Sequence, residues 1–364
     1  MNTFLYNPLL ILIMMCLYIC IVTYYKPAYL KQKNFSNPKN LFGVFLIFIF
    51  SLYAVQDTDY FHYIDALEDL SRGGFSHFED IYIDIASYVD YQNIHFRMIV
   101  WGTALVLFVL SIKRLGISLP LVLFFFASLF IMKFSYARAS LAMAFGVFGY
   151  TFWAKPIRFR LLSFTIGVLL ISASILFHKS ASFWILIFLC SIIQLKKPRL
   201  GILFLLYPVG VYFSTRYGLD YFLASVSDDF AENAMGYMSK DALDHGLNYY
   251  VRMILTRTPY YLMFLGIIIS VFKGNYQQLP SHEKKIINIS FYIIYFSSFF
   301  LFDFGVNTSV MYYRFLYYSI MPLSMLMAIF YKSGINLKLL KYSVILGVSG
   351  CIFDFLYSYY NATL

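Results

Sequence analysis

Charge is what this chain has least of. Only 13% of its 364 residues are Asp, Glu, Lys or Arg, about half the share of an average soluble domain, while 61% are hydrophobic. A water-soluble fold could not hide that much apolar surface, which argues against a soluble enzyme or carrier. Nowhere does a GxxxxGK[ST] phosphate-binding loop occur, which argues against an ATP-driven pump. Cysteine is scarce too: Cys16, Cys20, Cys190 and Cys351 all lie inside apolar segments, where a thiol behaves as a small hydrophobe, and their spacing suits neither a disulfide framework nor a metal site. The net charge is +10, yet the basic residues form short clusters between apolar runs and no continuous stripe, so a nucleic-acid partner is not expected.

What the sequence does hold is a succession of long apolar stretches from Phe4 to Tyr360, from which no soluble domain can be cut; residues 1–364 read as one membrane domain. The first stretch, 4–24, has no basic residue before it and no small-residue cleavage site after it, so it reads as a retained helix and not a signal peptide. Runs of about twenty residues, or fewer where turns are tight, predict helices near 4–24, 41–55, 95–112, 118–132, 138–153, 161–177, 180–194, 200–214, 256–272, 286–303, 313–330 and 342–359. The expected fold is all-α: a polytopic integral membrane protein of about twelve transmembrane helices. Its 40 Phe and 34 Tyr suit helices that face lipid along the middle and meet water at their ends.

Alternate connections collect the cations: Lys26, Lys31, Lys33 and Lys39; Lys113 and Arg114; Lys155, Arg158 and Arg160; Lys196, Lys197 and Arg199; Lys273, Lys284 and Lys285; Lys332, Lys338 and Lys341. The positive-inside rule makes these connections cytoplasmic and leaves both termini outside. Nine carboxylates fall in 56–94 and six in 215–250, the two longer connections on the other side, whereas Glu283 is the single one in a basic connection. The two long loops are rich in Tyr, Asp and Phe. The amphipathic stretch 75–91 in the first of them reads either as an aromatic surface for sugars or as a helix lying in the headgroup layer.

Ten basic residues run against the orientation rule: Arg72, Arg97, Lys133, Arg138, Lys179, Arg216, Lys240, Arg252, Arg257 and Arg314. Arg97, Lys133 and Lys179 read as helix-end side chains that snorkel into the headgroups. Arg138 differs, because helical steps place Ala142, Phe145, Gly146 and Gly149 beneath it on one face. Small residues there allow close helix packing, so Arg138 is expected to point into the bundle or an outward cavity, and a charge at that depth is a functional candidate. Arg314 lies among tyrosines, with Tyr317 and Tyr318 one turn further on. A guanidinium among phenols suits a bidentate grip on phosphate, although cation–π packing explains the pattern as well. His178 separates two apolar runs; it is either a satisfied helix-end residue or a group for proton transfer from a hydroxyl. Asp57, Asp59 and His62 could hold a divalent ion or supply a base, but Asp-x-Asp is a common triplet and also an ordinary loop cap; whether it binds metal stays open.

At four places the chain resembles the EpsG family of bacterial membrane proteins, related to the Wzy-type polymerases of O-antigen, capsule and exopolysaccharide. The family's Gly-x-Asp-Tyr-x-x-Tyr segment is similar to Asp57-Thr-Asp59-Tyr60-Phe-His-Tyr63, with Asp57 replacing the glycine. Its Arg-Gln-x-x-Ala helix start looks like Arg138-Ala-Ser-Leu-Ala142, with Ala139 for the glutamine. Its His-x-Ser-Ala segment is similar to His178-Lys-Ser180-Ala181, and its later Arg-x-x-x-Tyr to Arg314 through Tyr318. The arginine that often precedes the first segment is missing.

The resemblance implies a glycosyltransferase that polymerises undecaprenyl-diphosphate-linked oligosaccharide repeat units at the outer face of the bacterial cytoplasmic (inner) membrane. Its site would face the periplasm or exterior, without metal or cofactor, in the company of a flippase and a chain-length regulator. It implies Arg138, Arg314 and His178 as catalytic groups, with Asp59, Tyr60, Tyr63, Tyr317 and Tyr318 as substrate-binding groups and Arg252 and Arg257 as auxiliaries on the diphosphate. Two alternatives stay open: a transferase of GT-C-like fold that adds one sugar from a polyprenyl-phosphate donor, and a flippase for lipid-linked oligosaccharides. A flippase should set cations deep in several helices and often shows two similar halves.

Overall fold

The computed structural model describes residues 8–25, 38–53, 58–74, 78, 80–129, 131, 137–214, 247–300 and 315–363. Among these residues the regular structure is helical and no strand occurs. The helices are α1 (Pro8–Tyr24), α2 (Pro38–Tyr53), α3 (Thr58–Ser71), α4 (Asp80–Tyr88), α5 (Asn93–Leu115), α6 (Leu119–Leu129), α7 (Ala137–Ala154), α8 (Arg160–Phe177), α9 (Phe183–Ser191), α10 (Lys197–Phe213), α11 (Leu247–Phe272), the single turn α12 (Asn275–Gln278), α13 (Ser281–Ser297), α14 (Ile320–Lys332) and α15 (Leu337–Thr363). Each of the twelve apolar runs overlaps one of these helices. The expected loop 56–94 is itself largely helical, holding α3 and α4, while residues 215–246 of the other long loop lie outside the described residues.

Local chemistry sets the ends. Gly116 adopts φ 72° after α5 and returns its N–H to Ile112 O, and Ile117 N also donates to Ile112 O. Gly334 follows α14 at φ 67° and donates to Tyr331 O, with Ile335 N bonded to Phe330 O. Only glycine takes this left-handed backbone without strain, so each helix stops there with its last carbonyls satisfied.

Among the described residues, four helices are long and apolar enough to cross a membrane: Asn93–Leu115, Arg160–Phe177, Ile254–Phe272 and Leu337–Leu356. Their outward faces are apolar as well; in α8, Leu161 is 79% and Leu176 64% exposed. Such surface is stable only against an apolar medium, which makes the chain a membrane-associated helical protein.

Two short helices form the centre. In α6, Leu119 through Leu123 and Phe125 through Leu129 are buried, and in α14 every residue from Ile320 to Phe330 is buried. α6 packs on α14, α15, α1, α2 and α5, and α14 also touches α13, α7 and α11. Around them, α7 packs chiefly on α8 and α5, and α11 on α15.

The antiparallel pairing fixes which residues share an end. Gly149 and Gly167 let α7 and α8 touch backbone to backbone, since a Cβ on Gly149 would stand 2.8 Å from Gly167 O. Phe145 and Phe177 stack at 4.5 Å near the other extremity of the pair. The start of α7 and the end of α8 therefore meet at one end of the bundle. α11 and α15 are antiparallel too, with Gly266 beside Leu339 and Gly350 beside Leu255 and Thr256.

The opposite end gathers the basic connections. Arg114 donates to Lys155 O at 2.7 Å and lies 3.9 Å above the Phe152 ring. Lys285 donates to Trp153 O at 2.7 Å, and Tyr150 to Lys285 O at 2.9 Å. Glu283 is buried and meets the half-exposed Lys332 at 3.4 Å.

At 1.5 Å per residue, Arg138 stands about 24 Å from this basic end, whereas the eleven residues of α6 rise only about 16 Å. The partners of the α6 terminus agree: Leu129 and Ser128 O pack against Gly347, well before the end of α15, and Ser128 O accepts from Tyr18 at 3.3 Å in mid-α1.

Candidate functional site

Arg138 occupies the first turn of α7, half-buried. Its backbone N–H and its Nε both donate to the Tyr63 hydroxyl, at 3.3 and 3.1 Å. The Tyr82 hydroxyl donates to Arg138 O at 3.2 Å. The guanidinium carbon lies 5.2 Å from the Phe78 ring centre and 5.6 Å from that of Tyr63. Two phenols from α3 and α4 thus hold the residue at its backbone and at the Nε edge.

These phenols are themselves fixed by aromatic packing. Phe78 and Phe96 stack at 5.8 Å with their planes 8° apart; Tyr63 lies 5.4 Å from Phe78 and Tyr82 5.9 Å from Phe96. Tyr63 and Tyr82 are buried, so a free phenol in this box would cost desolvation that the bonds to Arg138 offset. Within the amphipathic stretch 75–91, Asp80–Tyr88 form a helix with Tyr82 and Ala86 buried, and Tyr82 backs Arg138. Asp59 and Tyr60 stand one turn before Tyr63 in α3, and their side chains lie outside the described residues.

His178 ends α8 and opens the 3-10 turn Lys179–Ser182 in extended backbone, φ −165° and ψ 123°. Its Nδ1 accepts the Ser180 N–H at 3.2 Å and lies 3.0 Å from Ser180 Oγ. The Ser180 hydroxyl in turn lies 2.8 Å from the Tyr318 hydroxyl. Because Nδ1 is the acceptor, the neutral ring carries its proton on Nε2. Nε2 then presents a donor, which suits orienting an oxygen better than removing its proton.

Tyr318 is buried, edge-on to Trp184 at 6.0 Å, and Phe315 meets Phe183 at 4.4 Å. Trp184 fits only because residue 146 is glycine: a Cβ there would come within 2.5 Å of the indole. The small-residue face expected below Arg138 is thus the surface that seats the His178 segment. Phe177 joins the two clusters, touching Tyr82 at 6.2 Å and Phe145 at 4.5 Å.

The structure thus brings Tyr63, Arg138, His178 and Tyr318 to one end of the bundle. Tyr318 is buried with its hydroxyl on Ser180, while Tyr317 is half-buried beside it. Arg314 and Asp57 lie outside the described residues. Arg257 is buried in α11, the helix that meets α15, and so belongs to another wall. Arg252 is one turn earlier in α11, with its side chain outside the described residues.

Arg97 corrects the snorkelling expectation. It is 3% exposed, stacked 3.8 Å over Trp101, with Nη2 donating to Ser51 O at 3.3 Å. The carbonyls ending α2 form the negative end of that helix and attract the guanidinium inward. Lys179 is exposed, and Lys133 lies outside the described residues. Sequence reasoning also passed over Tyr82 and Ser180; the period of the 75–91 stretch and the hydroxyl two residues after His178 were the available signals.

Comparison of the chain with protein families, curated proteins and solved structures finds no match in any of the three.

Proposed function

We propose that this chain crosses the cytoplasmic membrane of a bacterium twelve times, basic end inside, and polymerises undecaprenyl-diphosphate-linked oligosaccharide repeat units at the outer face. The observation that carries the proposal is Arg138, clasped by Tyr63 and Tyr82 at the end of the bundle that also holds the His178–Ser180–Tyr318 chain. With Tyr63 on the Nε edge, the two-nitrogen fork is the part of the guanidinium suited to phosphate oxygens. The clasp fixes its orientation before any ligand arrives, which is what electrostatic catalysis requires.

In the proposed reaction the acceptor hydroxyl of a new repeat unit attacks the anomeric carbon of the lipid-linked glycan. The carbon–oxygen bond to the diphosphate breaks, its electron pair leaves with the diphosphate, and the hydroxyl proton passes to a phosphate oxygen. Arg138 and Arg314 stabilise the charge that develops there, with Arg252 and Arg257 as auxiliaries. His178 orients oxygen through Nε2–H, and Asp59, Tyr60 and Tyr63 border the acceptor sugar. The energy is stored in the diphosphate ester, so the reaction needs no nucleotide.

The alternative is a flippase for the same lipid-linked glycans, which would call for cations deep in several walls; Arg97 and Arg257 lie toward the ends of their helices that are far from the basic connections and so give that reading less support. One experiment separates the two. In a deletion strain complemented with stably expressed Arg138→Ala and Arg314→Ala, separately and together, a polymerase defect stops chain growth and leaves single units in the outer leaflet. A flippase defect leaves them in the inner leaflet. Normal polymer lengths from the double variant refute the polymerase assignment.

A further inference from the structure

Ser180 touches two groups that the proposed reaction needs in register. Its Oγ stands 3.0 Å from His178 Nδ1 and 2.8 Å from the Tyr318 hydroxyl, and it is buried, as Tyr318 is. A serine hydroxyl has one proton to give and lone pairs to receive. Nδ1 carries no proton while it accepts the Ser180 N–H, so the chain runs one way: Tyr318 O–H donates to Ser180 Oγ, and Ser180 O–H donates to Nδ1.

We infer that Ser180 is the positioning residue of the site: it locks the His178 ring in the Nε2–H tautomer and ties it, through Tyr318, to the segment that follows Arg314. The inference rests on the polymerase reading and adds to it how the histidine is held. Without the hydroxyl, Nδ1 loses its 3.0 Å contact with Oγ while the backbone bond at 3.2 Å stays, and the Tyr318 hydroxyl loses its 2.8 Å contact with Ser180. The packing of Tyr318 against Trp184 and Phe183 does not involve the hydroxyl, so its removal leaves that shape intact. Ser180→Thr retains the hydroxyl and Tyr318→Phe removes the other end of the chain, so the two isolate the relay from the fold.

The test uses the full chain, purified with selectively 15N-labelled histidine and supplied with lipid-linked repeat units isolated from the host. His178→Asn assigns the 15N signals of the ring. The wild type should show an unprotonated Nδ1 and a protonated Nε2. Because the Ser180 backbone N–H stays on Nδ1, the tautomer should persist in Ser180→Ala and Tyr318→Phe, while the Nδ1 15N signal shifts and kcat falls about tenfold, the order expected for one buried hydrogen bond, with KM unchanged. The double variant should be no worse than the single ones, and Ser180→Thr should restore both signals and rate. A wild-type Nδ1 signal and rate in Ser180→Ala and Tyr318→Phe, with His178→Ala inactive, overturn the inference and leave the polymerase reading standing. A fully active His178→Ala overturns the inference together with the role given to that histidine.

Discussion

Replacing Tyr63 by Phe removes a single oxygen, and that oxygen is the acceptor for two donors of one arginine. The ring stays, and with it the stacking near Phe78 and the 5.6 Å approach of the guanidinium, so the substitution isolates the hydroxyl from the aromatic box. A hydrogen bond from a charged group contributes about 1.5–3 kcal/mol net. Arg138 is only half-buried, so water replaces part of it; a loss of about 1–2 kcal/mol of positioning remains, or roughly a 5–30-fold fall in kcat. Tyr82→Phe removes a neutral phenol-to-carbonyl bond and should cost less, about fivefold. Since both hydroxyls act on one residue, the double variant should fall short of the product of the two. The assay is polymer length per unit time on lipid-linked repeat units. A fully active Tyr63→Phe beside an inactive Arg138→Ala would refute the idea that the clasp aims the guanidinium.

Two further predictions concern stability. Gly146→Ala puts a methyl within 2.5 Å of the Trp184 indole, and this overpacking should cost about 1–3 kcal/mol, read as a lower thermal midpoint of the purified protein. At the basic end, burial holds the His282 imidazole below its usual value, and Lys155 and Lys332 add to this against the opposing Glu283. The unfolded chain therefore binds the proton more readily, so stability is lost as pH falls below about 6.5, the ordinary histidine value; His282→Gln should flatten that acid limb, and an unchanged slope would count against this account.

The helices of the apolar runs were legible in the sequence because those runs are long, and at Gly116 and Gly334 the stop was legible too; α3 and α4, in the expected loop 56–94, were not. The small-residue face under Arg138 was legible, since Gly146 and Gly149 follow from helical spacing alone. The role of the 75–91 stretch was not. Its period allowed a helix in the headgroups, and only the packing of Tyr82 against Phe96 and Phe177 turned that face toward Arg138. Arg97 escaped for the same reason: a cation at a helix start reads alike whether it reaches for water or for the carbonyl of a neighbouring helix.

By itself, then, the sequence determined the medium and the element type, because hydrophobicity and helical period are properties of neighbouring residues along the chain. The tertiary structure alone decided which polar groups meet. Tyr63 is 75 positions from Arg138, and Ser180 is 138 positions from Tyr318; such hydrogen bonds exist only after antiparallel packing has set the helices in register.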